Sequence, residues 1–360
     1  MHRRQSGVFS TAGALVVWLC CTLSAAAAAA DRYPGVEWDR IAPAQAGWSA
    51  SKLDAARTWS MQMGTTAVVV VQHSVIVASW GDVSANVLLN SARKSLLSAL
   101  IGIAVGMHQI DLNETLAGLG IDDNAPSLTA EEKQATVADL LEARSGVYHG
   151  ANYETPQMAA LRPQRGSHPH GTFWYYNNWD FNTLGAIYEH AAGTQIFAAF
   201  QQQIAQPVGM QDFDPRNCRY FSGADSNYPA YLFYASARDL ARFGLLYLHR
   251  GLWRDQQIIP ASWVDDSMRP YSTTNLGSGY GYLWWTAFPD RPLTSMNLPA
   301  GSYFALGNGG QLVIVIPADD LVIVHLARMG AAADSGHRDG VGLRTIASLL
   351  AMILDAAELH

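Results

Sequence analysis

Ser91-Ala92-Arg93-Lys94-Ser95-Leu96-Leu97-Ser98-Ala99-Leu100-Ile101-Gly102-Ile103-Ala104-Val105-Gly106 is almost continuously apolar after its first turn. An amphipathic surface helix keeps a polar face, so this stretch predicts a helix buried on all sides. The polar groups gather at its mouth, where Ser91 and Lys94, three apart, project from the same face. A serine hydroxyl is a weak nucleophile at neutral pH, but an amine desolvated by apolar neighbours can lose its charge and accept the serine proton. The spacing is not unique, because Ser49-Ala50-Ser51-Lys52 repeats it. Ser49 precedes an amphipathic pattern and reads as an N-cap accepting an orphan amide hydrogen. Ser91, taken alone, reads equally as a cap or as a nucleophile.

Outward from this helix, Leu53, Ala56, Trp59 and Met63 recur at helical spacing, which predicts a helix over 49–63. Segments 66–72 and 74–80 are β-branched and apolar around a polar corner at His73, the pattern of a hairpin. Residues 112–235 are loop-rich, with helical patterns at 137–144, 181–192 and 196–203, and a surface helix is expected at 237–249. Strands are expected at 280–285, 311–316 and 321–326, the last two joined at Pro317-Ala318-Asp319-Asp320, and a final amphipathic helix at 342–357. Strands at both ends with helical material between them give an α+β fold. Its antiparallel sheet is built from both chain ends and flanked by helices, with a mostly helical insertion over about 112–235.

The composition narrows the function. The chain has 360 residues, 15% charged, with a formal charge of −7. So low a charged fraction excludes a disordered or coiled-coil body, and the acidic balance argues against nucleic acid as a partner. His2, Arg3 and Arg4, an apolar run over 12–23 and the alanines 25–30 form the order of a secretory signal cleaved near Ala30. The expectation is a signal over 1–30, one domain over 31–360, a secreted or periplasmic location, and no membrane span after cleavage. Walker A, HExxH, CxxC and GxSxG patterns are absent from the sequence, and His168-Pro169-His170 has no nearby carboxylate or cysteine to complete a metal site. Neither a metal nor another cofactor is expected.

A second element follows the Ser91-Lys94 pair. Tyr176-Asn177-Asn178 stands just before a predicted helix, and Gly307-Asn308-Gly309-Gly310 opens a predicted strand. This order of Ser-x-x-Lys, Tyr-x-Asn and a Gly-rich third motif resembles the serine β-lactamase and penicillin-binding-protein superfamily. It is most similar to the class C-like branch of esterases, D-aminopeptidases, D-alanyl carboxypeptidases and 6-aminohexanoate-dimer-type amide hydrolases. The likeness covers nearly the whole chain after the signal, including 137–146, 207–210, 236–244 and 279–285.

The resemblance implies a β-lactamase/transpeptidase-like fold and a site. Ser91 would form an acyl-enzyme, and Lys94 would take the serine proton or, through its charge, lower the pKa of Tyr176. Tyr176 would act as general base and then acid, with Tyr175 as the competing phenol. Asn178 would hydrogen-bond Lys94 and the substrate. The oxyanion would rest between the backbone amides of Ser91 and Gln311.

One departure matters. The family's third motif begins with lysine or histidine, then Thr or Ser, then Gly, whereas Asn308-Gly309-Gly310 carries no cation. Losing that charge weakens recognition of a substrate carboxylate by about 1–3 kcal/mol. Arg328 or a histidine from another loop could replace it. The expected function is an exported carboxylesterase or amidase acting on a small ester, amide or peptide. A class C-type β-lactamase or D-alanyl-D-alanine carboxypeptidase, and a non-hydrolysing penicillin-recognising or scaffold protein, are the alternatives.

Overall fold

Strand β1 (Thr65–Gln72) buries Ala67, Val68, Val69, Val70 and Val71 completely, so both faces of the sheet are covered at its centre. A run of β-branched residues packs well in such a position, where every side chain meets a neighbour. The computed structural model describes residues 1, 2, 7, 33–328 and 340–357, and apart from residues 1, 2 and 7 the proposed signal lies outside them. Among the described residues no helix is long and apolar enough to cross a membrane.

The main sheet also contains β2 (Val75–Gly81), β3 (Ser272–Thr273), β4 (Gly279–Tyr280), β5 (Trp285–Thr286), β6 (Tyr303–Gly307), β7 (Gln311–Ile316) and β8 (Leu321–Ala327). Its order is β2-β1-β8-β7-β6-β5-β4-β3, antiparallel throughout. Strands from the two chain ends meet where Val69 of β1 stands opposite Val324 of β8. The α+β sheet expected from the sequence is therefore present.

The helices α1 (Ala50–Gln62), α2 (Arg93–Gly106), α3 (Asn178–Ala192), α4 (Ala237–Leu248) and α5 (Leu343–Ala356) surround it. In α2 every residue from Arg93 to Ala104 is buried, as its composition requires. The insertion is held together by short helices and by small strand pairs, Val87–Leu88 with Tyr234–Ala235 and Arg219–Phe221 with Ala230–Leu232.

Three expectations are corrected. The helix over 237–249 is not a surface helix: α4 lies against β1, β7 and β8 with most of its residues buried. Gly244 permits this, since a Cβ there would come within 2.5 Å of Val322 Cγ1. Its polar residues are satisfied locally, Asp239 by the amides of Gln211 and Asp212 and Arg242 by backbone carbonyls. The segment 280–285 is two short strands around Leu283, which sits at φ +63. Strand β6 was not anticipated at all, because Tyr-Phe-Ala-Leu-Gly is too short and too mixed to stand out.

Candidate active site

The chain turns into α2 through Asn90, which has φ +48, and a single 3-10 turn, Asn90–Ala92. No side chain caps this turn or α2, so Ser91 is not a cap. Its Oγ lies 2.8 Å from Lys94 Nζ instead. The other serine-lysine pair behaves differently: Ser49 accepts the Lys52 amide as the N-cap of α1, and Lys52 pairs with Asp355 at 3.0 Å on the surface. Ser91 is half-buried, while Lys94 is only 1% exposed.

Burial, helped by the positive charge of Arg93, pushes the Lys94 ammonium well below its usual range. A neutral amine beside a hydroxyl can accept its proton. Tyr176 stands beside the pair, its ring centroid 4.7 Å from Lys94 Nζ, with that of Phe181 at 4.9 Å. Burial pushes the Tyr176 phenol up to about 12, against the lowering effect of the Ser91 bond and the Arg93 charge. The influences that lower this phenol come from Ser91 and Arg93, and burial outweighs them, so it lies above its ordinary value. Tyr175 is excluded as the phenol, since its hydroxyl donates to the Met158 carbonyl at 2.9 Å.

The turn between β6 and β7 closes the site. At Gly307 a Cβ would stand 2.2 Å from the Leu89 carbonyl oxygen and 3.1 Å from the Ala92 nitrogen, so only glycine lets β6 reach the turn that carries Ser91. Asn90 Nδ2 donates to the Asn308 carbonyl at 2.8 Å. Gly309 and Gly310 have φ of +81 and +93. Gly309 accepts the Val341 amide at 3.0 Å, and Gly310 accepts from His325 Nδ1 at 2.6 Å. Gln311 is fully buried, its side chain spent on both backbone groups of Ala327.

Comparison with known proteins agrees with this geometry. The family model described as Beta-lactamase matches residues 50–341. The chain belongs to the beta-lactamase family. Among solved structures, a Bacillus anthracis protein described by inference as a 6-aminohexanoate-dimer hydrolase superposes with a TM-score of 0.62 at 20% identity, covering 91% of this chain and 87% of its own. A beta-lactamase from Mycobacterium bovis gives 0.59 at 17%, covering 84% and 97%. A class C beta-lactamase gives 0.63 at 14%, covering 86% and 96%. These likenesses are of fold. A curated relative, an uncharacterized protein of Alkalihalophilus pseudofirmus, is 31% identical over 98 residues, 25% of this chain, and the match spans 29% of the relative.

In this beta-lactamase-family chain the motif residues gather unevenly. Ser91, Lys94 and Tyr176 come together, and the Gly307–Gln311 turn abuts them. Asn178 does not bond Lys94: its Nδ2 donates to the Tyr153 carbonyl at 2.8 Å, and its buried Oδ1 has no partner. The reason is local, since Asn178 is the first residue of α3 and Asn177 is the cap, which turns the Asn178 amide toward the 153–158 segment. In the third motif's turn, Gly307 is the glycine pressed against the turn that carries Ser91.

Two site residues, Asn90 and Arg93, escaped the sequence reading. Asn90 joins the Asn308 turn to Tyr153, whose hydroxyl donates to Asn90 Oδ1 at 3.0 Å. Arg93, inside the Ser-x-x-Lys motif, is 1% exposed and donates to the Asn90 carbonyl at 3.0 Å. Trp174, Tyr280 and Trp285 ring Tyr176 at centroid distances of 6.4, 6.0 and 5.3 Å. A usable signal existed for Asn90 and Arg93: asparagine tolerates positive φ better than most residues, and an arginine in a wholly apolar helix has no solvent to meet.

Proposed function

We propose that this family member is an exported carboxylesterase or amidase that acylates Ser91 with the neutral acyl part of a small ester, amide or peptide. The contact of 2.8 Å between Ser91 Oγ and the buried Lys94 Nζ carries the reading. Lys94, held neutral, accepts the Ser91 proton as Oγ attacks the carbonyl carbon. The oxyanion is received by the Ser91 amide and by an amide of the 307–311 turn. Tyr176, protonated at neutral pH, passes its proton to the leaving alcohol or amine and recovers one from Lys94, and water then releases the acid by the reverse path. The aromatic ring around Tyr176 and the absence of a cation in the third motif support a neutral, apolar acyl group. No cofactor is invoked for this chemistry, and export rests on the signal-like sequence.

A short-chain nitrophenyl ester and a chromogenic cephalosporin assayed side by side test this. The ester is expected to turn over faster, and fast cephalosporin turnover with no ester cleavage overturns the neutral-acyl reading in favour of a β-lactamase. Fluorophosphonate labelling is expected to vanish in Ser91→Ala and persist in Ser49→Ala. Absence of labelling in the native protein points to the non-hydrolysing alternative.

A further inference from the structure

Two arginines of this fold are equally buried, at 1% exposure each, and they are used differently. Arg242 spends both terminal nitrogens on three backbone carbonyls, those of Val208, Gly35 and Val36, and only its Nε has no partner. Arg93 makes one such bond, to Asn90, and its buried Nε and Nη2 have no partner. Among the described residues it has no carboxylate partner either. Its guanidinium carbon lies 5.5 Å from the Tyr153 ring centroid and 5.2 Å from that of Tyr231, a placement in which aromatic faces stabilise the cation without neutralising it.

We propose that Arg93 is a positioning residue of the catalytic turn, which fixes the Asn90 carbonyl behind Ser91 and stands a permanent, unneutralised positive charge beside the Lys94 amine. The inference rests on the reading of Lys94 as the base. Arginine suits the task because it stays protonated throughout the working pH range, so its field does not titrate away. The titratable groups around the amine are Ser91 and Arg93 from its own stretch of chain and Tyr176 from the segment entering α3. Tyr231 and Tyr280 act on Tyr176 or are acted on by it, and Asp180 acts on Tyr280. Burial pushes the Asp180 carboxyl well above its usual range. Among the described residues Arg93 is the charge that bears on Lys94, and it adds to burial in disfavouring the ammonium. The phenols of Tyr176 and Tyr231 are also lowered by it.

The test is the pH profile of fluorophosphonate labelling at Ser91, read in the native protein and in Arg93→Met, Arg93→Gln, Arg93→Lys and Lys94→Met. The acidic limb follows deprotonation of Lys94, so removing the neighbouring charge moves that limb upward. Arg93→Met and Arg93→Gln are expected to shift it by about one pH unit or more, a roughly tenfold loss of rate on the acidic side. Arg93→Lys, which keeps a cation, is expected to leave the limb near its native position while lowering the overall rate through the lost Asn90 contact. A limb that stays put in folded neutral variants overturns the proposal, as does a set in which only Arg93→Lys folds, because the charge then serves folding alone. Lys94→Met separates the two readings: if it retains the native limb, the assignment of the base fails, whatever Arg93 does.

Discussion

Asn90 Nδ2 reaches across from the residue before the nucleophile to the carbonyl of Asn308, 2.8 Å away in the β6–β7 turn. The same side chain accepts the Tyr153 hydroxyl at 3.0 Å, and its carbonyl accepts Arg93. One residue at φ +48 therefore holds the serine turn, the Gly-rich turn and the inserted segment in register.

Replacing Asn90 by alanine removes two side-chain bonds from a buried site and places alanine in a left-handed conformation. Each buried bond lost costs about 1–3 kcal/mol, so Asn90→Ala is expected to lower kcat/KM for a nitrophenyl ester by roughly ten- to a hundredfold. Glycine relieves the backbone strain but not the lost bonds. Asn90→Gly is therefore expected to regain thermal stability without regaining rate; equal recovery of both places the defect in the backbone alone.

Gly307→Ala puts a methyl 2.2 Å from the Leu89 carbonyl oxygen, a backbone atom that cannot move without displacing Ser91. Activity is expected to fall below a hundredth of native and the melting temperature to drop. Gly342→Ala, where a Cβ meets nothing within 4 Å, is the control and is expected to leave both unchanged. An active Gly307→Ala protein would show that β6 does not lie against the serine turn.

Lys94 is a lysine whose folded pKa is depressed from 10.5 by burial. Between that depressed value and 10.5 the unfolded chain binds the extra proton, so this group lowers stability at neutral pH and its penalty fades as pH rises toward 10.5. Lys94→Met, similar in shape and never charged, is expected to abolish labelling of Ser91 while keeping or raising the melting temperature at pH 7. Calorimetry and labelling on the same sample check this, and a large loss of stability refutes it.

His325 is buried between Gly310 and Thr65. A carbonyl can only accept, so Nδ1 carries the proton and Nε2 accepts the Thr65 hydroxyl at 2.9 Å. Burial lowers its pKa from 6.5 to about 4. The unfolded histidine takes up a proton below 6.5 and the folded one does not until about 4, so stability falls as pH drops through that window. The difference is on the order of 3 kcal/mol. Urea midpoints at pH 7, 5.5 and 4.5 are expected to decline in the native protein and to decline less in His325→Gln.

The frame of this fold was legible wherever a local pattern decides it. Four consecutive valines in β1, the apolar α2 and the β7–β8 hairpin with its Pro317-Ala318-Asp319-Asp320 turn stand close to where they were expected. The two serine-lysine pairs also separated by context, Ser49 as a cap and Ser91 beside a buried amine. Burial of α4 and the existence of β6 were not legible. Both depend on what lies opposite, Val322 under Gly244 in one case and the Leu89 carbonyl against Gly307 in the other.

By itself, the sequence determined that a serine and a lysine share one face at the mouth of a buried helix, that a tyrosine and a glycine-rich turn follow in a set order, and that no cation heads the third motif. Periodicity and residue type carry that much, because helix geometry fixes which neighbours along the chain can meet. Tertiary structure alone decided the electrostatics. Burial and the charge of Arg93 push the Lys94 ammonium well below its usual range, and close packing determines which glycine touches the serine turn. Both depend on distances between segments remote in sequence, which no local pattern encodes.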